Sequence, residues 1–337
     1  LSPAVSIVLP VRDAAETLGA CLESIRSQTL ADFEVLAVDD GSTDASARIL
    51  ARWAARDRRL RLIRTPPRGL VAALNLGLEA ARCELVARMD ADDLMAPERL
   101  ALQCERLWRD PSLTLVGSRV RLFPEHLIRT GYRRYLAWQN ACLSARDIAD
   151  EIYVEAPFAH PSVMFRRGPV RALGGYREGP FPEDYDLWLR LHRSGHAMAK
   201  LPEVLLHWRE RPDRTSRIDP RYAREAFDRL RARYLAADPR ILHNRERLVI
   251  WGAGRRTRRR CAHLLSRGFR IGAWIDVDPR KIGNRVDGAP VVAPRWLARE
   301  PRPFVLGYVA NHGARELIAQ GLHAMGYRRG RDYLMVG

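Results

Sequence analysis

Phe33-Glu34-Val35-Leu36-Ala37-Val38-Asp39-Asp40-Gly41-Ser42-Thr43-Asp44 is an apolar run of strand length that ends abruptly in acid, glycine and hydroxyl residues. Such a run, bounded by turn residues, reads as a strand buried on both faces. Outward from it, Val5-Ser6-Ile7-Val8-Leu9-Pro10 is a second strand, with a helical pattern from Ala14 to Gln28 between the two. Ser42 to Asp44 cap a helix running towards Arg56, and Leu60 to Ile63 form a short strand. A helix follows from about Leu70 to Ala81, and Leu85-Val86-Ala87-Arg88-Met89 is the next strand. Strands and helices alternating at this spacing predict an α/β fold with a mostly parallel mixed sheet covered on both faces. Ligands of such sheets gather at the carboxyl ends of the strands, where Pro10, Asp39 and Asp90 stand.

Past Pro97 the pattern becomes mixed: a helix to about Trp108, short strands, a polar aromatic stretch from Tyr132 to Tyr153, and a helix from Glu183 to Ser194. Asp219-Pro220 reads as an N-cap and first helical residue, starting a linker helix with an apolar face (Ala226, Phe227, Leu230, Tyr234) and a solvated arginine face. Leu248-Val249-Ile250-Trp251-Gly252-Ala253-Gly254 begins a second, smaller α/β unit. The expected division is 1–217, a linker at 218–245, and 246–337.

The chain has 337 residues, long enough for about two domains. Its net charge is +17, and from Glu246 onward 18 basic residues face 7 acidic ones. Attraction to phosphate-bearing ligands, or peripheral contact with an anionic membrane, suits that excess. No aromatic-interleaved basic motif points to nucleic acid. No apolar run approaches the ~20 residues of a membrane span, and the opening residues predict no secretory leader. The five cysteines are scattered without metal-ligand or redox spacing, which predicts reduced thiols and a cytoplasmic setting.

Three acidic clusters carry chemistry. Asp90-Ala91-Asp92-Asp93 directly follows a strand. Carboxylates this close repel one another unless something positive lies among them, and Mg²⁺ or Mn²⁺ suits oxygen ligands and phosphate; an acidic turn before a helix is the other reading. Asp39 can accept hydrogen bonds from a nucleotide base or ribose, while Asp40 either joins it or caps the next helix. Glu183-Asp184 either complement a helix dipole or face the metal.

These residues form an ordered series that resembles the family-two glycosyltransferases. The series comprises Ser6-Ile7-Val8-Leu9-Pro10, Ser27-Gln28-Thr29, Asp39-Asp40-Gly41-Ser42, Arg68-Gly69 with Asn75-Leu76-Gly77, Asp90-Ala91-Asp92-Asp93, His160-Pro161-Ser162, Gly174-Gly175-Tyr176 and Glu183-Asp184. The resemblance implies a glycosyltransferase-A fold and transfer of a sugar from a nucleotide-sugar, often UDP-linked, to a hydroxyl of a glycan or lipid-linked acceptor with inversion. It places Pro10, Arg12 and Glu16 on the nucleotide loop, Asp39 and Arg68 at the base or ribose, and Asp90 near ribose and metal. Asp92 matches the metal ligand, and Asp184 the catalytic base with Glu183 in support. His160 is either a diphosphate or acceptor contact or a buried structural histidine. His207 is a candidate metal ligand, and Arg209 and Arg214 candidate phosphate clamps. Arg12-Asp13 stand where the family usually has Tyr-Asn. The processive-synthase motif Gln-x-x-Arg-Trp is absent, so transfer of single sugars is expected.

In the last third, Gly252-Ala253-Gly254 after a strand and Asp276 at the end of the next are Rossmann-like, with Thr257 in place of the third glycine. The resemblance here is to the small amino-terminal domains of sugar-nucleotide acyltransferases, which implies a nucleotide-type pocket or a docking role. Two other functions compete with the transferase: an NAD-type oxidoreductase acting through this segment, and a catalytically silent nucleotide-binding protein.

Overall fold

The computed structural model describes residues 4–298, 301–309 and 313–337. The chain divides into two compact units, one of Leu1–Ile148 with Ala156–Asp219 and the other of Ala149–Glu155 with Pro220–Gly337.

The first unit opens as a strand–helix alternation: β1 (Val5–Val11), α1 (Ala15–Arg26), β2 (Phe33–Asp40), α2 (Ser46–Ala54), β3 (Leu60–Thr65), α3 (Leu70–Ala80) and β4 (Leu85–Arg88). It continues through β5 (Leu94–Met95), α4 (Arg99–Arg109), β6 (Leu113–Phe123), α5 (Thr130–Ala141), α6 (Ala145–Glu151), β7 (Met164–Arg166), α7 (Arg167–Ala172), α8 (Glu183–Arg193), β8 (Ala197–Arg209) and α9 (Thr215–Ile218). The strands form one eight-stranded sheet in the order β3-β2-β1-β4-β7-β6-β8-β5. β1 to β4 pair in parallel, whereas β7 runs antiparallel to both β4 and β6.

Every residue of β1 is buried, as a central strand covered on both faces requires. Its odd positions, Val5, Ile7, Leu9 and Val11, join Leu18, Cys21, Leu22 and Ile25 of α1 in the main core. On the other face α3 approaches closely because Gly77 has no side chain: a Cβ there would lie 2.5 Å from Val8 Cγ1. The aromatic stretch after Tyr132, without apolar periodicity of its own, is in fact helical: α5 stacks Tyr132 on Tyr135, three residues apart, with centroids 5.7 Å apart.

The second unit contains α10 (Arg224–Leu235), α11 (Pro239–Leu242), β9 (Leu248–Trp251), α12 (Arg255–Leu265), β10 (Ile271–Ile275), β11 (Arg285–Val286), β12 (Ala289–Val292), β13 (Val305–Gly307), α13 (Ala314–Ala324) and β14 (Tyr333–Met335). Its six-stranded sheet runs β11-β12-β10-β9-β13-β14. Asp219-Pro220 does not start the long helix; residues 220–222 form a 3₁₀ turn and α10 begins at Arg224. Nor is the polar face of α10 wholly solvated. Asp228 and Arg231 are buried, and Asp228 pairs both Arg231 (2.6 Å) and Arg260 of α12 (3.2 Å). A buried aspartate needs such partners, so Arg260 is committed to structure. The five cysteines are buried, and among the described residues no helix is long and apolar enough to cross a membrane.

Candidate active site

The loops after β1 and β2 are laced together by side chains. Asp13, held at a positive φ of 47°, accepts from the Thr43 N–H at 2.7 Å and the Asp44 N–H at 3.3 Å. These donors keep the Asp13 carboxyl below its usual range, the Thr43 amide contributing most. In return Asp44 accepts from the Ala15 N–H at 2.9 Å, at the start of α1. Asp39, at the buried end of β2, accepts from the Ser42 N–H at 3.1 Å. Asp40 is not a cap of α2. Its two oxygens accept from the Arg68 and Gly69 N–H groups at 2.7 and 2.9 Å, with Arg12 3.7 Å away. Asp40 thus fixes the loop that presents the exposed Arg68 side chain. Arg12 and Glu16 are exposed and Pro10 is buried at the end of β1.

Gly41 lets these loops meet. Its φ is +69°, and a Cβ there would lie 2.8 Å from the Pro67 backbone nitrogen. Gly41→Ala is expected to destabilise the fold by about 2 kcal/mol and to weaken nucleotide binding, checked by thermal melting and calorimetry with UDP.

Asp90, Asp92 and Asp93 bring one carboxylate oxygen each within 4.8 Å of the others. Asp93 is buried: one oxygen accepts from the Arg209 N–H at 2.7 Å, and the other, Oδ2, has no hydrogen-bond partner. Burial, then Asp92 and Asp90, push the Asp93 carboxyl well up; burial and Asp90 raise Asp92, with Arg214 and Arg211 opposing. Beneath the cluster lies Arg99, fully buried, its Nη2 donating to the Arg88 carbonyl at 2.8 Å. An orphaned buried carboxylate oxygen beside two further carboxylates fits a hard divalent cation taking oxygen ligands.

Glu183 and Asp184 start α8, whose position is set from within the unit. Arg190 pairs Asp186 at 2.7 Å and donates to the carbonyls of Leu173 and Gly175 at 3.0 and 2.7 Å. Asn75 of α3 meets the Tyr176 backbone both ways, each bond 2.9 Å. Burial, with Glu183 next, pushes the Asp184 carboxyl up to about 8, opposed by the Tyr185 N–H and Arg88. His160 is buried, its Nε2 3.0 Å from the Tyr176 hydroxyl and its Nδ1 3.6 Å from Glu183. Burial and Arg88 lower its proton affinity while Glu183 opposes. The ring therefore bridges Tyr176 and Glu183 as a neutral imidazole.

Arg88, which in the sequence is only one residue of a strand, ends β4 beside the triad. It is 2% exposed and ion-paired with Asp90, and its charge is felt by Glu183 and Asp184. An arginine inside an otherwise apolar, buried run was the available signal.

His207 lies outside the carboxylate cluster, edge-on to Phe123 with centroids 6.3 Å apart. Arg209 stacks over the same Phe123 ring at 4.4 Å and donates to the Asp92 carbonyl at 2.6 Å. Arg214 donates to the Tyr132 hydroxyl at 2.9 Å and stacks over Trp208 at 4.3 Å. In the second unit, Asp276 accepts from the Ala253 and Asp278 N–H groups, each at 3.0 Å, and pairs Lys281 at 3.0 Å. A Cβ on Gly252 would lie 2.9 Å from both Thr257 Oγ1 and Val309 Cγ2, whereas Gly254 opens onto free space.

Residues 6–174 match the family described as Glycosyl transferase family 2. The chain is 38% identical over 213 residues to the amylovoran biosynthesis glycosyltransferase AmsE of Erwinia amylovora, covering 62% of this chain and 76% of that protein. Among solved structures, S. aureus TarS 1-349 in complex with UDP-GlcNAc matches with a TM-score of 0.56 at 16% identity, over 70% of this chain and 67% of that one. The mannosyltransferase PcManGT from Pyrobaculum calidifontis, in complex with GDP-Man and Mn²⁺, matches at 0.51 and 24% identity, over 70% of this chain and 63% of that one. These likenesses carry the fold, a mixed α/β glycosyltransferase-A fold; the chain also has a second, smaller sheet.

Proposed function

The chain belongs to glycosyl transferase family 2, and from that premise we propose that it moves single sugars from a nucleotide-sugar donor, UDP-linked, to a hydroxyl of a glycan or lipid-linked acceptor in polysaccharide biosynthesis, with inversion. The observation that carries the reading is the acidic triad at the end of β4, whose carboxylates converge and whose Asp93 keeps a buried oxygen without a hydrogen-bond partner. The UDP-GlcNAc of TarS and the GDP-Man and Mn²⁺ of PcManGT support the donor class and the cation.

Asp92, with Asp90 and Asp93, would hold Mn²⁺ or Mg²⁺, which when bound supplies Lewis-acid stabilisation of the departing diphosphate. Pro10, Arg12, Glu16, Asp39 and Arg68 receive the nucleotide, and Asp40 acts through the loop it holds. Asp184 takes the acceptor's hydroxyl proton as the acceptor oxygen bonds to the anomeric carbon from the face opposite the diphosphate. The bond to the diphosphate oxygen breaks at the same time, and its electron pair leaves with that oxygen. Glu183, set by His160, keeps Asp184 in place. Arg209, bonded to Asp93 and to the Asp92 carbonyl, and Arg214 are the proposed phosphate clamps. The second unit is proposed to be Rossmann-like with a docking role, because Asp276 is occupied by the N–H groups of Ala253, after β9, and of Asp278. Its basic excess suits peripheral contact with an anionic membrane.

A base must be ionised to act, so with the Asp184 carboxyl pushed up to about 8, kcat/KM is expected to rise with pH, to be half-maximal near pH 8 and to level off above roughly pH 9. A rate independent of pH between 6 and 9 would contradict the assignment. The functional reading is tested by a panel of UDP- and GDP-sugars with a broad acceptor set, scored by released nucleotide with and without Mn²⁺. Release that needs the cation supports it; binding of NAD alone would favour an oxidoreductase instead.

A further inference from the structure

We propose that an open cavity at the amino end of β4 is a second anion site, which takes a phosphate group between the arginines of two chain segments. The site does not depend on the transferase reading: the triad follows the carboxyl end of β4, the cavity precedes its first residue.

The cavity has a volume of about 650 Å³ and is lined by Arg82, Glu84, Arg167, Gly168, Arg171 and Ala172. One wall is the turn from α3 into β4 and the other is α7. The walls are fixed to each other, because the Arg167 N–H donates to the Glu84 carbonyl at 2.7 Å and Leu85 of β4 pairs with Arg166 of β7. Three arginines thus stand against one carboxylate, and that carboxylate is already claimed from outside the cavity. Glu84 pairs Arg166 at 2.9 Å, and Arg166 spends its other donors on the carbonyls of Leu113 and Leu107 at 3.0 and 2.6 Å.

The three lining arginines have no such acid of their own. Glu34, the buried carboxylate nearest Arg82, is filled by the Ser6 hydroxyl at 2.7 Å, the Arg82 backbone N–H at 2.9 Å and Arg61 at 3.1 Å. The Arg82 side chain reaches it only to 4.0 Å and is 65% exposed. Arg167 gives Nη1 to the Ala81 carbonyl, and Arg171 is exposed without an ion pair among the described residues. Other exposed arginines are balanced on their own helices, as Arg106 is by Asp110 at 3.1 Å and Arg109 by Glu105 at 2.6 Å, whereas α7 contains no acidic residue. Like charges converging on one cavity repel one another until an anion joins them. The planar guanidinium fork matches phosphate oxygens, and charge-assisted bonds of this kind are the strong ones. The cavity exceeds a phosphate group in size, which leaves room for what the phosphate is attached to. A free diphosphate and the headgroup of an anionic phospholipid share this chemistry.

The test is calorimetry of the full chain with inorganic pyrophosphate in EDTA, where the triad holds no cation and repels anions. Wild type and Asp92→Asn are expected to bind it equally. Arg82→Met and Arg171→Met should each weaken binding by about tenfold, the scale of one charge-assisted hydrogen bond, and the double variant by about 100-fold. Both side chains are exposed, so melting and Mn²⁺-dependent UDP binding should stay at wild-type values in all three variants. Cosedimentation with phosphatidylcholine vesicles, with and without phosphatidic acid, separates the two sources. Capture by phosphatidic acid that the double variant loses supports a lipid phosphate; pyrophosphate binding without capture supports a free one. No pyrophosphate binding by wild type, binding that requires Mn²⁺, or an unchanged affinity in the double variant would overturn the proposal.

Discussion

Asp184→Asn is expected to lower turnover by about 10²–10⁴-fold while leaving Mn²⁺-dependent binding of UDP within a few-fold of wild type. The asparagine preserves the size and one oxygen of the side chain, so the Tyr185 N–H bond, 2.7 Å in the native protein, can persist. It removes only the capacity to accept a proton. Stability supplies a second readout. The folded-state value of the Asp184 carboxyl, about 8, lies above that of an exposed aspartate. Its contribution is therefore fully present below the unfolded-state value and is lost as pH rises through about 8. Asparagine has no charge to bury, so the variant should gain melting temperature over wild type as pH goes from 6 to 9. Loss of UDP binding in parallel with turnover would mean that Asp184 is a structural residue.

Chelation with EDTA is expected to reduce turnover by about 10³-fold or more, the scale of several kcal/mol of charge stabilisation at a departing diphosphate, and added Mn²⁺ or Mg²⁺ should restore it. Asp92→Asn should raise the Mn²⁺ concentration needed for half-maximal rate. The same site gives a reading independent of catalysis. Burial and mutual repulsion raise the Asp92 and Asp93 carboxyls, so the metal-free fold loses stability as pH rises through their folded-state values. A cation that binds the folded chain offsets this, by about 2.7 kcal/mol at 100 times its Kd. Mn²⁺ should therefore raise the melting temperature of wild type at pH 8, and raise that of Asp92→Asn far less. An Mn²⁺-independent rate and melting temperature would contradict a metal role for the triad.

β1, β2 and β4 were legible because their runs are nearly all apolar and break off in proline or acid, and the triad was legible because three carboxylates in four residues need a reason. The contacts that shape the site were not. Nothing in the local pattern says that Asp13 and Asp44 cross between loops some 30 residues apart in sequence, or that Asp40 spends both oxygens on Arg68 and Gly69 instead of capping a helix. Such pairings are set by the register of parallel neighbours, where Val11 lies beside Asp39. α5 escaped notice because its aromatic residues stack on one another and on Trp208 in place of forming an apolar stripe. The solvated arginine face expected for α10 fails in part, because Arg231 on it is buried against Asp228. The same aspartate also claims Arg260 of α12, a pairing between two helices that no local pattern announces.

The most direct test of the central claim is a crystal structure with Mn²⁺ and UDP, located by the anomalous signal of the metal. The account predicts a single strong peak among the carboxylates of residues 90, 92 and 93, with the uracil end of the nucleotide towards Asp39 and Arg68. Manganese bound elsewhere, or UDP seated against the sheet of the second unit with the triad empty, would contradict it.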